Sequence, residues 1–529
     1  MNIRRLFGLA AALLTLSSSL PAASADTVEE RMFPSYTYGL WGNIADCPAP
    51  YTLEKQIDGV EIGLADFRQL NDLFAAPDGR VYLAVSGSEE SDNRIVVMDE
   101  QLCLIEAPEG YTAADGGFVH FGEPMGVFVD TDGDIYIADG KTKEVLHLDG
   151  QFREKLVIPA PSADSSKIIQ AEFTERYRPS KLAVDPTGRI HVVAINVNEG
   201  IVEFEPDGTF TGFLAAGKVK YSTIELLWRR FSTAAQRARM KDFVPVEYNN
   251  IELDADGYLF ATMAAMDEDA VLSDIRAGKS GNIGSGVGSD QGMVVRRLNY
   301  KGSDILDRNG YGPVVGDLAV FTDSFTGYQG ISHIMDVSCG EHGTFTLLDN
   351  NRSHIFTYSP DGYLLFAFAG PDVTAGGLRM PVAVTQQGEY LYVADTGTRS
   401  VCVYRQTAFA RAVMDALGAE YTGHLEEAKT AWEAVLDQSA GYLLAYVGLG
   451  KIAYQNGEYE TAMRLFEESQ NSSWYSKAFK QYRAAEVQRY FVPVVLGLAV
   501  LAVGLTVLLL WRAVRRRRRR REAFDSSGG

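Results

Sequence analysis

The chain has 529 residues, 46% of them hydrophobic and 22% charged, with 49 basic and 69 acidic side chains. That length allows more than one domain, and that composition excludes a disordered or collagen-like chain. A formal charge of −20 argues against a nucleic-acid binder, which needs clustered Lys and Arg to meet phosphates.

Arg4 and Arg5 precede a mostly apolar stretch, Leu6 to Leu20, and the small-residue pattern Ala23-Ser24-Ala25. This is the layout of a secretory signal peptide, residues 1–25, cleaved before Asp26. An uncleaved anchor is the alternative. Next, Tyr51 to Ile57 reads as a strand ending at Asp58-Gly59. A hairpin phrase then recurs, as in V-D-T-D-G-D-I-Y-I-A-D (129–139) and V-D-P-T-G-R-I-H-V-V-A (184–194). Its turns centre on Gly79, Gly133, Gly188, Gly257, Gly343 and Gly388. Each phrase is two alternating runs about a tight turn. Residues 86–99, 138–157 and 348–368 add a third and fourth strand to their units. Four antiparallel strands per unit make a propeller blade, and blades must stack to bury their faces.

The reading is a mainly β fold, a six-bladed β-propeller over residues 26–405. The sixth unit shows three strands before the pattern turns helical at Gln406, so the strand near 51–57 is expected to complete it and close the ring. Seven blades is the alternative, if residues 33–46 hide further strands. The units resemble the NHL repeat. The residues carrying the likeness are Asn93-Arg94-Ile95, Ala138-Asp139 with Val145, Asp349-Asn350 with Ile355, and Ala394-Asp395 with Arg399 and Val401. Asp139, Asp349 and Asp395, at the ends of second strands, read as turn-forming residues rather than catalysts.

Sites on propellers lie in the connections, because the strands are consumed by packing. Here 106–123, 159–178, 214–247, 265–291 and 307–330 are long, and all emerge on one face. Arg68, Asn71, Arg178, Asn249, Asn250, His333 and Arg379 stand where first strands begin, at the mouth of the channel. The three arginines could clasp carboxylates or sugar acids, or pair with acidic loops. Within 222–241, Ile224, Leu227, Trp228 and Phe231 share a helical face, and Arg229 and Arg230 make the segment basic. Trp228, Arg229, Arg230 and Phe231 thus mark either a lid over the mouth or a docking helix.

Six-bladed lactonases of the gluconolactonase type hold a divalent metal with Glu, Asn and Asp. Asn71, Asn250 and Asp336 partly imitate that set, but no matching Glu opens the first blade. No G-x-S-x-G or H-E-x-x-H motif occurs, so no catalytic residue, metal or cofactor is assigned. Cys47, Cys103, Cys339 and Cys402 lack metal spacing. The last three lie in or beside apolar runs, and Cys47 could meet Cys402 if the ring closes through the N-terminal segment.

From 406 to 490 the pattern is helical. Gly423, Ala428 and Trp432 align with Gly457, Ala462 and Phe466. The second copy, with Leu449, Gly450, Gly457, Tyr459, Ala462 and Phe466, resembles a tetratricopeptide (TPR) repeat. That resemblance implies paired helices packed through small residues, and a peptide-binding or stalk role. Phe491 to Trp511 carries no charge and, as a helix, spans about 30 Å, the thickness of a bilayer core. Arg512 and Arg515 to Arg521 follow, as expected on the cytoplasmic side and beside anionic lipid. Setting aside the two leader arginines, and the eight arginines and two acids after residue 490, leaves 39 basic and 67 acidic residues.

The whole reads as a single-pass plasma-membrane protein of bacterial type, its N-terminal domain outside and residues 512–529 inside. The expected function is binding or scaffolding, with a glycan, peptide or protein on the looped face and a membrane complex at the stem. The alternative is an extracellular lactonase or hydrolase acting on a sugar derivative.

Overall fold

The computed structural model describes residues 35–39, 43–163, 166, 169, 171–215, 247–263, 294–318, 331–371 and 376–525. The signal peptide, the Trp228–Phe231 helix and most of 265–291 lie outside these residues.

Six antiparallel sheets form the blades of a propeller. Their innermost strands are Gln69–Ala75, Pro124–Val129, Arg178–Val184, Tyr248–Leu253, Ile334–Cys339 and Pro381–Gln387. Each packs against the next, and the sixth against the first, so the ring is closed. The second strands Val81–Ser86, Ile135–Asp139, Leu259–Met263 and Phe345–Asp349 are buried along their whole length. Each blade is covered on both faces by its neighbours, which is why these runs are continuously apolar rather than cleanly alternating. All six turn glycines take positive φ, between 55° and 91°. A side chain there would be strained.

Tyr51–Asp58 is the outer strand of blade six, in register from Tyr51 opposite Gln406 to Asp58 opposite Ser400. The ring therefore closes by pairing residues far apart in the chain, as expected. The register sets Gln56, not Cys47, opposite Cys402. All four cysteines are free thiols, and Cys103 is exposed rather than in the core.

Residues 33–46 do contain strands, Tyr36–Tyr38 and Ile44–Asp46, but they extend blade five instead of making a seventh blade. The strand Tyr36–Tyr38 touches the sheet through one backbone pair, Tyr36 with Ala367. Side chains hold it. Tyr36 Oη donates to Asp317 Oδ2 at 2.6 Å and Tyr38 Oη to Asp317 Oδ1 at 2.8 Å. His354 Nδ1, at 3.0 Å, and Arg352 Nη1, at 3.4 Å, complete this buried network.

Blade four has three strands among the described residues, and residues 304–308 occupy its outer edge with both side-chain and backbone bonds. Asp304 Oδ1 accepts Arg297 N–H at 3.2 Å, Arg308 Nη2 donates to Val295 O at 2.8 Å, and Ile305 N–H donates to Arg297 O at 2.7 Å. An edge so occupied offers no template for another chain.

Two compact units divide the chain near Gly441. In the first, Thr407 caps helix Ala408–Thr422 and its hydroxyl donates to Ala49 O at 2.7 Å. This helix runs beneath the turn of blade five, where Gly418 meets His342 and Tyr421 lies 5.6 Å from the His342 ring. Helix Leu425–Gln438 follows, with Trp432 buried and donating to Glu420 Oε1. The second unit holds Leu443–Gln455, Tyr459–Glu468 and the long helix Ser472–Asp525. A Cβ on Gly450 would lie 2.5 Å from the buried Phe466 ring, so the glycine lets the paired helices approach. Ala462 is buried beside Phe466, Leu449 is half-buried, Tyr459 packs edge-on against Tyr454, and Gly457 takes φ 79°. The long helix contains the apolar stretch, exposed throughout, and is long and apolar enough to cross a membrane.

Asp317→Ala would leave two tyrosine hydroxyls and a guanidinium buried without their shared acceptor. We expect a loss of about 3 kcal/mol in denaturant unfolding, with the N-terminal strand becoming the first protease-sensitive site.

Candidate functional site

The innermost strands line the channel, and all six share an irregularity. Each skips one residue in its pairing with the second strand, at the same height: Asn71, Met125, Ser180, Asn249, Met335 and Val382. The residues just after the bulge form a ring: Asp72, Gly126, Lys181, Asn250, Asp336 and Ala383. A bulge leaves backbone groups out of the ladder, and a buried N–H needs another acceptor. The ring supplies it. Asn250 Oδ1 accepts Ile251 N–H at 2.6 Å and Asp336 Oδ1 accepts Val337 N–H at 2.8 Å. Where the ring residue is Gly126 or Ala383, the preceding blade reaches across. Asp72 Oδ2 accepts Val127 N–H at 2.9 Å, and Asp336 Oδ2 accepts Val384 N–H at 2.6 Å.

The skipped residues tie blades together in the same way. Asn71 Nδ2 donates to Pro124 O of blade two, and Asn249 Nδ2 to Ile334 O of blade five, each at 2.7 Å. Asn71 also donates to Ser86 Oγ, and Asn249 accepts from Thr262. Two expected ligand contacts are therefore engaged in equivalent structural bonds on blades one and four. Sequence reading missed this because a bulge is a feature of pairing.

The channel holds four ionisable groups, Asp72, Lys181 and Asp336 of the ring and Glu252 two residues after Asn250. Lys181 of blade three reaches past Gly126 to pair with Asp72 of blade one, and donates to Asn71 O at 3.1 Å. Asp336 of blade five is pushed up to about 7 by burial, opposed by the Lys181 charge and reinforced by Asp72. Glu252 of blade four is half-buried, and desolvation holds it well above the usual carboxyl range, although it accepts Cys339 N–H at 3.0 Å. The Lys181 and Glu252 positions carried no signal in the sequence, each standing in an ordinary strand run.

At the mouth the three arginines diverge. Arg178 pairs with Glu123 at 2.6 Å, whereas Arg68 and Arg379 are exposed. Both stand two residues before the pre-bulge positions, Leu70 and Pro381, of neighbouring blades one and six. His333 Nδ1 lies 3.0 Å from Asn350 Oδ1. The aspartates that end second strands serve the backbone, as expected of turn formers. Asp139 accepts N–H bonds from Gly122, Glu123, Lys141 and Thr142. Asp349 does so from His333 and Asn351, and Asp395 from Arg379, Met380 and Thr398. Each anchors the chain that leads into a first strand. Among the described residues, no three His, Cys, Asp or Glu side chains group as metal ligands would.

No family model matches the chain, and no curated protein does so either. Solved structures similar to it include a streptogramin B lyase, 12% identical with a TM-score of 0.37, covering 68% of this chain and 98% of that one. The virginiamycin B lyase of Staphylococcus aureus is 10% identical with a TM-score of 0.36, covering 68% and 100%. A protein provisionally assigned as a gluconolactonase is 10% identical with a TM-score of 0.35, covering 68% and 93%. None of these likenesses is close enough to carry an activity to this chain.

At Gly126 the backbone of blade two lies close against that of blade three. A Cβ there would lie 2.5 Å from the backbone oxygen of Ser180. We expect Gly126→Ala to cost about 2 kcal/mol, because a backbone atom must move rather than a side-chain tip. Asn71→Ala should cost a similar amount by leaving Pro124 O unpaired, while Arg68→Ala should stay within about 0.5 kcal/mol of the parent. Urea unfolding of the three variants measures the contrast.

Proposed function

We propose that this protein is a membrane-anchored binding protein of the extracytoplasmic side, of NHL type with a TPR-like stem. Its looped face takes a glycan, peptide or protein partner. The helical repeats attach it to a membrane complex, and Arg515 to Arg521 lie on the cytoplasmic side against anionic lipid.

One observation carries this reading. The propeller's chain enters blade six and leaves it on the short-turn face. Thr407 N–H donates to Pro50 O at 2.9 Å there, and helix Ala408–Thr422 crosses beneath blade five. The long connections 215–247 and 264–294 join strands at their opposite ends, and 299–333 leads from the short-turn end of the third strand of blade four to the opposite end of the first strand of blade five. The chain thus spends its tether on one face and its sequence length on the other. The channel does not favour catalysis, since Asn71 and Asp336, two members of the lactonase-like trio, are bonded to backbone groups.

Photo-crosslinkers placed at Arg68 or Arg379, and at Asp132 or Thr187 on the short-turn face, test this in intact cells. We expect adducts with a partner from the first pair only, and protection of the C-terminal tail from external protease. Adducts confined to the short-turn positions, or a propeller labelled only after cell lysis, would overturn the proposal.

A further inference from the structure

We propose that the ionisable side chains on the propeller axis form a proton-controlled clasp. With protons on the carboxyls of blades four and five, the channel strands close on one another; loss of those protons opens the axis to water. Such a clasp is independent of what the looped face binds.

Charge reaches the axis from four blades. Blades one, three, four and five contribute Asp72, Lys181, Glu252 and Asp336. The channel strands of blades two and six, Pro124–Val129 and Pro381–Gln387, bring no ionisable side chain. The six innermost strands carry two cations, Arg178 at the mouth, held by Glu123, and Lys181 on the axis, engaged by Asp72. Arg297, farther out on blade four, is held by Asp254 at 2.6 Å and Asp256 at 2.8 Å. Cys339, beside Glu252, is pushed well up by burial and adds no charge. If Glu252 and Asp336 both ionised, two negative charges would stand uncompensated inside the ring. A buried charge without a partner is expelled, neutralised by a proton, or reached by water.

The two carboxyls also sit on the seams that would open. Asp336 Oδ2 holds Val384 N–H of blade six, and Ser338 Oγ holds Gln386 N–H at 3.1 Å. Glu252 Oε1 holds Cys339 N–H of blade five. Seam six–one is joined by Ala75 N–H to Thr385 Oγ, and seam one–two by Asn71 to Pro124 O and by Val127 N–H to Asp72, the carboxylate that Lys181 engages. The consequence of deprotonation is thus concentrated where blades four, five and six meet the axis.

Burial sets the direction of the pH effect. Asp336 holds its proton in the folded state to about pH 7, whereas an unfolded aspartate loses it near pH 4. The stability this group contributes is therefore full below about pH 4 and is lost as pH rises through 7. One such proton raises the unfolding constant about tenfold per pH unit across that window. Glu203 and Asp349, shifted upward by burial elsewhere, act in the same direction, so the informative quantity is the difference between parent and variant.

The test is urea unfolding of the full-length protein in detergent micelles from pH 5 to 8.5, followed by the β-sheet circular dichroism signal. Asp336→Asn and Glu252→Gln are compared singly with the parent. Asn250 shows that an asparagine fits the ring, its carbonyl accepting the next N–H. We expect the parent's unfolding constant to rise with pH, and Asp336→Asn to reduce that slope by about one proton, with Glu252→Gln shifting the loss in the alkaline range. Hydrogen exchange of peptides containing Val337 and Val384 is measured alongside, at pH 6 and 8. After correction for intrinsic chemistry, exchange should accelerate at pH 8 in the parent and not in Asp336→Asn. The proposal fails if both folded variants keep the parent's slope, or if exchange at these seams is indifferent to pH. If Asp336→Asn does not fold, unchanged exchange and slope in Glu252→Gln overturn it equally.

Discussion

The bulge shared by all six channel strands is the constraint on which the rest of the structure depends. It tightens each inner strand around the axis, and in doing so strands backbone groups that no ladder can satisfy. Buried N–H and C=O groups must find partners, so the residues at and after the bulge are chosen for their ability to supply them. Asn71 and Asn249 donate across seams, Asn250 and Asp336 accept, and Asp72 serves its neighbour because Gly126 has no side chain to do so. Polar residues on the axis are therefore first of all a solution to a backbone problem.

That solution has an electrical side effect. An aspartate is an excellent acceptor for two N–H groups, but it brings a charge into a closed channel. Lys181 neutralises one such charge by leaning over the gap that Gly126 leaves. Asp336 and Glu252 have no second lysine, and burial drives their proton affinity upward instead. The same economy recurs outside the axis. Asp317 gathers two tyrosines, a histidine and an arginine to hold a strand that makes one backbone pair, and Arg308 with Asp304 bonds to the outermost strand of blade four among the described residues.

Much of the fold was legible in the chain. The six turn glycines predicted six hairpins, and each adopts the positive φ that makes glycine the fitting residue. The strand at 51–57 was recognisable because the last unit was one strand short. The resemblance to the TPR repeat implied small residues between paired helices, and Gly450 lies against the Phe466 ring. The strands Tyr36–Tyr38 and Ile44–Asp46 were suspected, but their place on blade five was not, since three-residue strands held by tyrosine hydroxyls leave no periodic trace. Arg68, Arg178, His333 and Arg379 stand at or just before first strands, and Asn71, Asn249 and Asn250 within them. That Asn71, Asn249 and Arg178 are engaged by neighbours, whereas Arg68 lies exposed, was not readable, because the partners come from other blades.

Local chemistry thus settled the strand–turn–strand units, their number, the helical change at Gln406 and the apolar stretch that follows. Those features depend on residues near one another in the chain, through turn geometry, side-chain alternation and the length of an uncharged run. Tertiary structure alone decided which polar groups meet on the axis, since Asp72, Lys181, Glu252 and Asp336 converge only when the first blade docks on the sixth. Ring closure is a long-range event, and the proton affinities it creates belong to the assembled channel rather than to any segment of the chain.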